Sequence, residues 1–349
     1  MRQVCIPRYG PPEVLRLEEV PEPALQAGTV RIAVRASGVN FADLLARQGL
    51  YPDCPKPPVV VGYEVAGTVE AVAPDVTGFR VGQRVVALTR FGGYAEKVVV
   101  PAAQVFPLPS SLDFPTAAAL PVNYLTAYVL VHLCGHLQPG ERVLIHNAGG
   151  GVGLAAVQLC RLQQAEIYGT ASAGKHEFLR QQGVEHLIDY RREDVPAAIR
   201  RLTQGRGLDL VLDPLGGRSF AQSYRLLAPL GRLVLFGMSR LSGGPRRRLL
   251  SVAWQLLRLP RFHPLRLMQD NRAVIGVHLG HLWEAQQRLR PALETLLAWA
   301  AEGRLRPVIA QTFPLAEAAA AHRYLHERRN LGKVVLTVAG SEAQASGAG

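Results

Sequence analysis

The stretch that decides the fold is residues 143–153, VLIHNAGGGVG. Its first three residues, Val143 to Ile145, form a short apolar run of the kind found in buried parallel strands. The glycines that follow predict a tight turn, and apolar residues at helical spacing continue from Gly153. A helix that begins there presents unpaired backbone N–H groups and the positive end of its dipole to the turn. Because glycine has no Cβ, a pyrophosphate can approach this backbone closely.

The glycine spacing is looser than the strict GxGxxG pattern, because Leu154 stands where the last glycine would be. The sequence instead reads Asn147-x-x-Gly150-x-x-Gly153. A plain strand-to-helix turn would also contain such a run. The strands and helices that surround it favour a dinucleotide-binding turn.

Strands and helices alternate after this turn. Besides the first strand, apolar runs predict four more, at residues 166–170, 186–190, 208–213 and 231–237. Helices are predicted between them, at residues 153–162, 175–182, 197–203 and 218–227. Five strands that alternate with helices predict a doubly wound parallel sheet, which defines the class of fold and not the reaction.

The first 123 residues are instead β-rich. Alternating apolar and polar residues predict strands at residues 29–36, 65–72, 84–88 and 94–100. Glycines and prolines separate these runs, so we expect a small barrel or folded sheet with one short helix within residues 37–52. Near the C-terminus the pattern predicts a strand at 273–278, a long helix at 281–302 and a last strand at 333–338.

Charge and cysteine content limit the classes of function. The 349 residues carry a formal charge of +12, from 39 basic and 27 acidic residues. The arginines are scattered apart from residues 246–248, so we expect compositional bias and no nucleic-acid binding. Four cysteines without a C-x-x-C pair, no signal peptide and no membrane-spanning apolar run predict a cytoplasmic protein.

Residues 245–268 are basic, apolar and interrupted by Pro260 and Pro264. Their apolar positions recur at helical spacing beside the arginines, which predicts an amphipathic helix that ends or kinks at Pro260. A lid or a subunit contact is the favoured interpretation. A helix on a membrane surface, and hence peripheral membrane contact, remains the alternative.

The second predicted strand of the parallel sheet ends without the Asp or Glu that binds the ribose hydroxyls of NAD. Ser172 can instead donate a hydrogen bond to a 2′-phosphate, and Lys175 can neutralise it. An exposed lysine at a helix start, without a ligand, is the alternative. The residue types favour NADPH.

Several further motifs extend over nearly the whole chain. They are Gly38-Val-Asn40-Phe-Ala-Asp43, Gly49-Leu-Tyr51-Pro52, Gly62-Tyr63-Glu64-x-x-Gly67, Gly82-Gln-Arg-Val85, Gly150-Gly-Val-Gly153 and Gly332-Lys-Val-Val. With them the sequence resembles the zinc-independent medium-chain dehydrogenases/reductases of the quinone oxidoreductase group. Residues 169–176, 213–217 and 271–274 resemble the vesicle amine transport protein branch of that group.

The resemblance implies an α/β protein with a GroES-like β-rich domain and an inserted doubly wound Rossmann-type parallel sheet. It assigns residues 1–123 and 275–339 to the GroES-like substrate domain and residues 124–274 to the NADPH-binding domain. We expect residues 340–349 to be a disordered tail, and the resemblance implies a homodimer.

The same resemblance shows where zinc ligands would stand. Asn40 occupies the position of the catalytic cysteine of zinc alcohol dehydrogenases, and Tyr63 occupies that of their histidine. An amide and a phenol do not replace a thiolate and an imidazole in a tetrahedral zinc site. We therefore predict no metal, and hydride transfer to an electrophilic small molecule, a quinone or an α,β-unsaturated carbonyl (an enone).

Site residues follow from the matching positions. Asn40 and Tyr51 are the predicted catalytic residues. The predicted cofactor-binding residues are Asn40, Thr126, Gly150, Gly151, Val152, Gly153, Ser172, Lys175, Tyr190, Phe236, Gly237, Met238, Ser239, Asn330 and Lys333. Ordinary packing is the alternative for both tyrosines, and a loop-stabilising amide is the alternative for Asn40. Asp43 is predicted to be a helix-start residue, and solvent supplies the proton.

Two functions remain open from the sequence. The first is an NADPH-dependent reductase of a quinone or an enone. The second is a nucleotide-binding regulatory or membrane-associated protein with little turnover, as in the vesicle amine transport protein branch. Asn40 and Tyr51 favour the enzyme, whereas the basic segment at 245–268 favours the second.

Overall fold

The computed structural model describes residues 1–240, 253–254, 256–257 and 259–338. The described chain divides into two compact units. The first unit comprises Met1–Val122 and residues 293–338, and the second comprises residues 123–240 and the described residues from 253 to 292.

The strands and helices are numbered in chain order. The strands are β1 (Arg2–Cys5), β2 (Arg16–Glu19), β3 (Thr29–Val39), β4 (Glu64–Val72), β5 (Arg84–Leu88), β6 (Lys97–Pro101), β7 (Val105–Pro107), β8 (Arg142–Ile145), β9 (Glu166–Ala171), β10 (His186–Asp189), β11 (Leu208–Asp213), β12 (Leu227–Leu235), β13 (Ala273–Gly276), β14 (Ile309–Pro314) and β15 (Lys333–Thr337). The helices are α1 (Phe41–Arg47), α2 (Phe114–Ala118), α3 (Pro121–Tyr128), α4 (Gly151–Leu162), α5 (His176–Gln181), α6 (Val195–Leu202), α7 (Arg218–Arg225), α8 (Pro264–Asp270), α9 (Gln286–Ala301) and α10 (Ala318–His326).

The first unit is built on a sheet of seven strands. Its order is β14-β15-β3-β4-β5-β7, and β6 also pairs with β3. The pairs are antiparallel except β14 with β15, which is parallel. Residues 30, 32 and 34 of β3 are buried in an apolar cluster with residues of β4, β5 and β6. This burial explains the alternation in the sequence, because successive side chains of a strand point to opposite faces.

The second unit is built on six parallel strands in the order β10-β9-β8-β11-β12-β13. The prediction of a doubly wound parallel sheet with a β-rich partner is confirmed. The sixth strand, β13, pairs with β12. The boundary expected at residue 275 therefore cuts through a strand of this sheet, and the second unit continues to Ala292.

The C-terminal part differs from the sequence prediction in three ways. Strand β14 and helix α10 were not predicted, and α9 is shorter than the expected helix at 281–302. The apolar pattern does not predict β14, because the side chains of this strand are half-buried or exposed and do not alternate in polarity. Strand β12 begins at Leu227, where the pattern predicted the end of a helix.

The segment at 245–268 is only partly described. The chain is not helical at residues 259–263, and α8 begins with Pro264, so the predicted interruption at the two prolines is confirmed. The predicted basic start of the segment and the tail at 340–349 lie outside the described residues. No helix in the described part of the chain is long and apolar enough to cross a membrane.

Candidate active site

The first unit contains a buried polar cluster formed by Asn40, Glu64 and Lys333. These residues are 7%, 0% and 3% exposed. The Lys333 ammonium donates to Asn40 Oδ1 at 2.6 Å and to Glu64 Oε1. Asn40 Nδ2 donates to Glu64 Oε1 at 2.9 Å, and the backbone N–H of Val122 donates to Glu64 Oε2 at 2.7 Å. The cluster is therefore a buried ion pair that holds an amide.

Sheet register brings these three residues together. Asn40 follows β3, Glu64 begins β4 and Lys333 begins β15, and β3 lies between the other two strands. A Cβ at Gly38 would clash with the Glu64 carboxylate and would lie 2.6 Å from Lys333 Cε. Only glycine leaves room for the ion pair beside β3. This packing explains why the Gly38-Val-Asn40 motif begins with a glycine.

The cluster fixes the orientation of the Asn40 amide. An ammonium is only a donor and a carboxylate is an acceptor, so the amide oxygen faces Lys333 and its nitrogen faces Glu64. The loop-stabilising role weighed for Asn40 is thus present. The predicted contact of Lys333 with a cofactor would need this ion pair to open. Glu64 was not among the predicted site residues, although an acid at the start of an apolar strand was a signal for it.

Asp43 lies in a second buried network. Its carboxylate accepts from the backbone N–H groups of Asn40 at 2.7 Å and Gly62 at 3.0 Å, and from the Tyr94 hydroxyl at 3.0 Å. It occupies the third position of α1, so its predicted helix-start role is confirmed. Burial raises the pKa of Asp43 to about 7, although these donors act in the opposite direction.

The network continues from Tyr94 to His322. The Tyr94 hydroxyl lies 3.1 Å from His322 Nε2, and both residues are fully buried. Burial, and then the charge of Arg47, holds the pKa of His322 well below its usual range. The ring is therefore neutral. Sequence reasoning missed this histidine, since nothing near residue 322 marks it as the neighbour of residue 94.

Tyr51 belongs to an aromatic group on the first unit. Its ring centroid lies 6.0 Å from that of Tyr63 in an edge-to-face arrangement, and Tyr63 lies 5.5 Å from Phe91. Burial raises the pKa of Tyr51 to about 12, so its hydroxyl is protonated at neutral pH. Packing was the alternative to a catalytic role for Tyr51, and the contact with Tyr63 shows that its ring is packed.

The predicted pyrophosphate turn is formed in the second unit. Helix α4 begins at Gly151, two residues earlier than expected, and no side chain caps it at Gly150. A Cβ at Gly151 would lie 2.8 Å from Asn123 Cγ, and one at Gly153 would lie 2.8 Å from the carbonyl oxygen of Ala148. The glycines keep the turn tight, and the first-turn N–H groups of α4 are not satisfied by a cap. Such a helix start fits a phosphate.

A polar network beneath this turn was not predicted. Ser223 donates to Asp213 Oδ2 at 2.7 Å, so its oxygen accepts from His146 Nε2, which lies 3.1 Å away. Nδ1 of the same ring then accepts from the Thr170 hydroxyl at 3.2 Å. His146, Thr170 and Asp213 lie at the carboxyl ends of β8, β9 and β11. The network ties together the edge of the sheet that carries the glycine turn.

The other predicted cofactor residues of the second unit lie along the same edge. Ser172 directly follows β9 and Tyr190 directly follows β10, and the register pairs Asp189 with Ala171. Residues 236–239 follow β12, and the backbone N–H of Ser239 donates to the carbonyl of Pro214 at 2.8 Å. In parallel sheets of this type, ligands bind at the carboxyl ends of the strands.

Two predicted residues lie elsewhere. Thr126 is buried in α3, and Asn330 in the first unit donates to the carbonyl of Gly332 at 2.9 Å. Lys175 ends the short turn that follows Ser172 and is half-buried. The structure thus groups Asn40 with Lys333, and the glycine turn with Ser172, Lys175, Tyr190 and residues 236–239.

Comparisons with known proteins agree with this architecture. Residues 26–110 match the family described as alcohol dehydrogenase GroES-like domain, and residues 182–336 match the family described as zinc-binding dehydrogenase. The synaptic vesicle membrane protein VAT-1 homolog of Danio rerio is 42% identical over 338 residues, which cover 96% of this chain and 70% of that protein.

Two solved structures extend the comparison. The quinone oxidoreductase of Escherichia coli complexed with NADPH has a TM-score of 0.86 at 29% identity, covering 97% of this chain and 100% of that one. The CurK enoyl reductase has a TM-score of 0.82 at 30% identity, covering 97% of this chain and 99% of that one.

The fold and these matches define the class: the chain belongs to the medium-chain dehydrogenase/reductase family of oxidoreductases. Within that family it stands close to the VAT-1 homologues. The predicted family and fold class are therefore confirmed.

Proposed function

We propose that this protein is a reductase that uses NADPH, without zinc, to transfer hydride to a quinone or an enone. The observation that carries the proposal is the uncapped, glycine-lined start of α4 at the carboxyl edge of the parallel sheet. The NADPH complex of the E. coli quinone oxidoreductase supports the choice of cofactor, and the CurK enoyl reductase supports the class of acceptor.

The residues of the second unit fit NADP(H). Residues 150–153 would hold the pyrophosphate through backbone N–H groups and the helix dipole. Ser172 and Lys175 follow β9, where a carboxylate would select NAD. When bound, NADPH supplies the hydride with its electron pair. Phe236, Gly237, Met238 and Ser239, together with Tyr190, would line the rest of the cofactor site.

The donor set of the first unit argues against zinc. The Asn40 amide is held between an ammonium and a carboxylate, and the ammonium would repel a divalent cation. Tyr63 offers a phenol whose pKa burial raises, so it does not become a phenolate ligand near neutral pH. Reduction of a quinone or an enone is compatible with this site, because the acceptor is already electrophilic.

The proposal is tested by comparing NADPH with NADH in equilibrium titrations. We expect NADPH to bind about tenfold or more tightly, because a charge-assisted hydrogen bond to phosphate contributes about 1.5–3 kcal/mol. Lys175→Ala should weaken NADPH binding and leave NADH binding nearly unchanged. Equal curves for the two cofactors would contradict the proposed selectivity.

A panel of quinones and enones tests the acceptor. We expect NADPH absorbance to fall only when an acceptor is added. Solvent supplies the proton in this proposal.

One observation favours the second function, a nucleotide-binding protein at a membrane surface. Trp254 and Leu257 are 54% and 84% exposed in the partly described segment. Co-sedimentation with anionic vesicles that weakens with salt, without NADPH turnover on any acceptor, would favour this function. The cytoplasmic location and the homodimer remain predictions. Sedimentation analysis of the purified protein can test the homodimer.

A further inference from the structure

The Tyr63 hydroxyl is buried, and no hydrogen-bond partner for it exists among the described residues. Other buried phenols of the chain do have partners. Tyr94 donates to Asp43, Tyr124 to Gln158 at 3.0 Å, and Tyr168 to Glu166 at 2.6 Å. A buried donor without an acceptor costs about 1–3 kcal/mol, so such a group calls for a functional explanation.

The backbone around Tyr63 is rigidly held. The N–H of Gly62 donates to Asp43, and the carbonyl of Tyr63 accepts from the N–H of Thr89 at 2.8 Å. The next residue, Glu64, is the acid that orients the Asn40 amide. The backbone of Tyr63 is therefore fixed directly before the acid of the polar cluster.

The ring of Tyr63 is also fixed. It packs edge-to-face on Tyr51, a predicted catalytic residue, and against Phe91 on another side. Aromatic contacts of this kind restrict the direction of the hydroxyl. The hydroxyl therefore lies in a buried, preorganised setting, where a hydrogen bond to a developing charge is stronger than in water.

The Tyr63 hydroxyl keeps its proton. Burial, with the nearby Asp43 carboxyl as the next cause, raises the pKa of Tyr63 far above its usual value. The hydroxyl therefore stays protonated near neutral pH and is available as a hydrogen-bond donor.

We propose that the Tyr63 hydroxyl donates a hydrogen bond to the carbonyl oxygen of the quinone or enone, which rests on the proposed function. As the hydride and its electron pair form the new C–H bond, the conjugated π pair moves to the carbonyl oxygen and gives an oxyanion. NADPH is oxidised to NADP⁺, and solvent protonates the product. Tyr63 stabilises the oxyanion while its own O–H bond stays intact.

The test compares the wild type with Tyr63→Phe in NADPH-dependent reduction of 1,4-benzoquinone and of an enone. Loss of one donor from the oxyanion hole of a serine protease lowers kcat by about 10²–10³-fold, and we expect a fall of that order here with a smaller change in KM. Tyr168→Phe is the matched control, because it removes a buried phenol whose hydroxyl already donates to Glu166 within β9. Its kcat should be near that of the wild type.

A second measurement does not depend on turnover. The carbonyl stretch of a ¹³C=O-labelled enone, bound to the NADP⁺ complex, should lie at lower frequency than in hydrocarbon solvent. In Tyr63→Phe the band should move back to higher frequency, with NADPH affinity unchanged.

The outcomes separate the two proposals. An unshifted band in the wild type, or an unchanged kcat and band in Tyr63→Phe, would overturn the role of Tyr63 and leave the reductase intact. A wild type that binds NADPH but neither binds nor reduces any acceptor would overturn the proposed function, and this inference with it.

Discussion

The side chains of Glu64 and Lys333 bury opposite charges with almost no access to water. Desolvation of two such groups is costly, and their attraction offsets it only with good geometry and further hydrogen bonds. Asn40 and the N–H of Val122 supply those bonds. The pair therefore contributes mainly a defined orientation of the Asn40 amide.

Glu64→Gln should destabilise the first unit strongly, because it leaves the Lys333 ammonium buried without a counter-charge. Breaking a buried pair in this way costs about 3–5 kcal/mol. Urea unfolding measures the change in the free energy of unfolding. Glu22→Gln is the control, since the Glu22–Lys97 pair is at the surface and should matter little. Equal effects of the two substitutions would contradict this assignment.

Asp43 should make stability depend on pH. Its pKa is raised to about 7 in the folded protein against 3.8 unfolded, so its contribution is fully present below pH 4 and is lost as pH rises to about 7. The neutral His322 acts with the opposite sign, because its pKa is lowered on folding. The free energy of unfolding of the wild type minus that of Asp43→Asn should therefore fall from pH 4 to pH 7. A flat difference would show that Asp43 ionises normally.

At the level of elements, the start of α4 combines two requirements. Its first-turn N–H groups must be accessible to a phosphate, and its glycines must pack against Asn123 and the preceding turn. Both requirements exclude a Cβ. The network of His146 and Asp213 holds the neighbouring strand ends beneath this turn.

Gly151→Ala should weaken NADPH binding about tenfold, because the new Cβ lies 2.8 Å from Asn123 Cγ and displaces the helix start. Overpacking of this kind costs about 1–3 kcal/mol. Titration with NADPH measures the loss. Asn123→Ala in the same chain should restore room and part of the affinity. Gly276→Ala is the control, because a Cβ at that glycine contacts nothing within 4 Å.

Elements with a regular apolar pattern were predicted well. The five expected strands of the second unit and the five expected strands of the first are present with ends shifted by up to about four residues, whereas β1, β2 and β7 were not predicted. Strand β14 was not predicted because its side chains do not alternate in polarity. Helix α10 was not predicted, although its buried residues Ala318, Ala321 and His322 recur at helical spacing. Strand β13 was predicted, but the expected domain boundary falls within it, since its pairing with β12 cannot be read locally.

At the scale of the whole molecule, the chain enters the first unit, builds the second and returns. The returning strand β15 pairs with β3 and supplies Lys333 to the cluster that holds Asn40. The first unit is therefore incomplete without residues from both ends of the chain.

The metal content of the whole protein tests the absence of zinc chemistry. The Asn40 cluster offers an amide, a carboxylate and an ammonium, which do not form a tetrahedral zinc site. Elemental analysis of purified protein should show far less than one zinc per chain, and a chelator should leave quinone reduction unchanged. Stoichiometric zinc, with activity lost to the chelator and restored by zinc, would contradict this prediction.

The sequence by itself determined the parallel sheet, the glycine turn and the position of Asn40, because each depends on residues close together in the chain. Only the tertiary structure decided that Glu64 and Lys333 hold Asn40, that Asp43 reaches Tyr94, and that the Tyr63 hydroxyl has no acceptor among the described residues. Lys333 and Asn40 are 293 positions apart, and strand register alone brings them into contact. Register depends on packing across the sheet, which no local pattern contains.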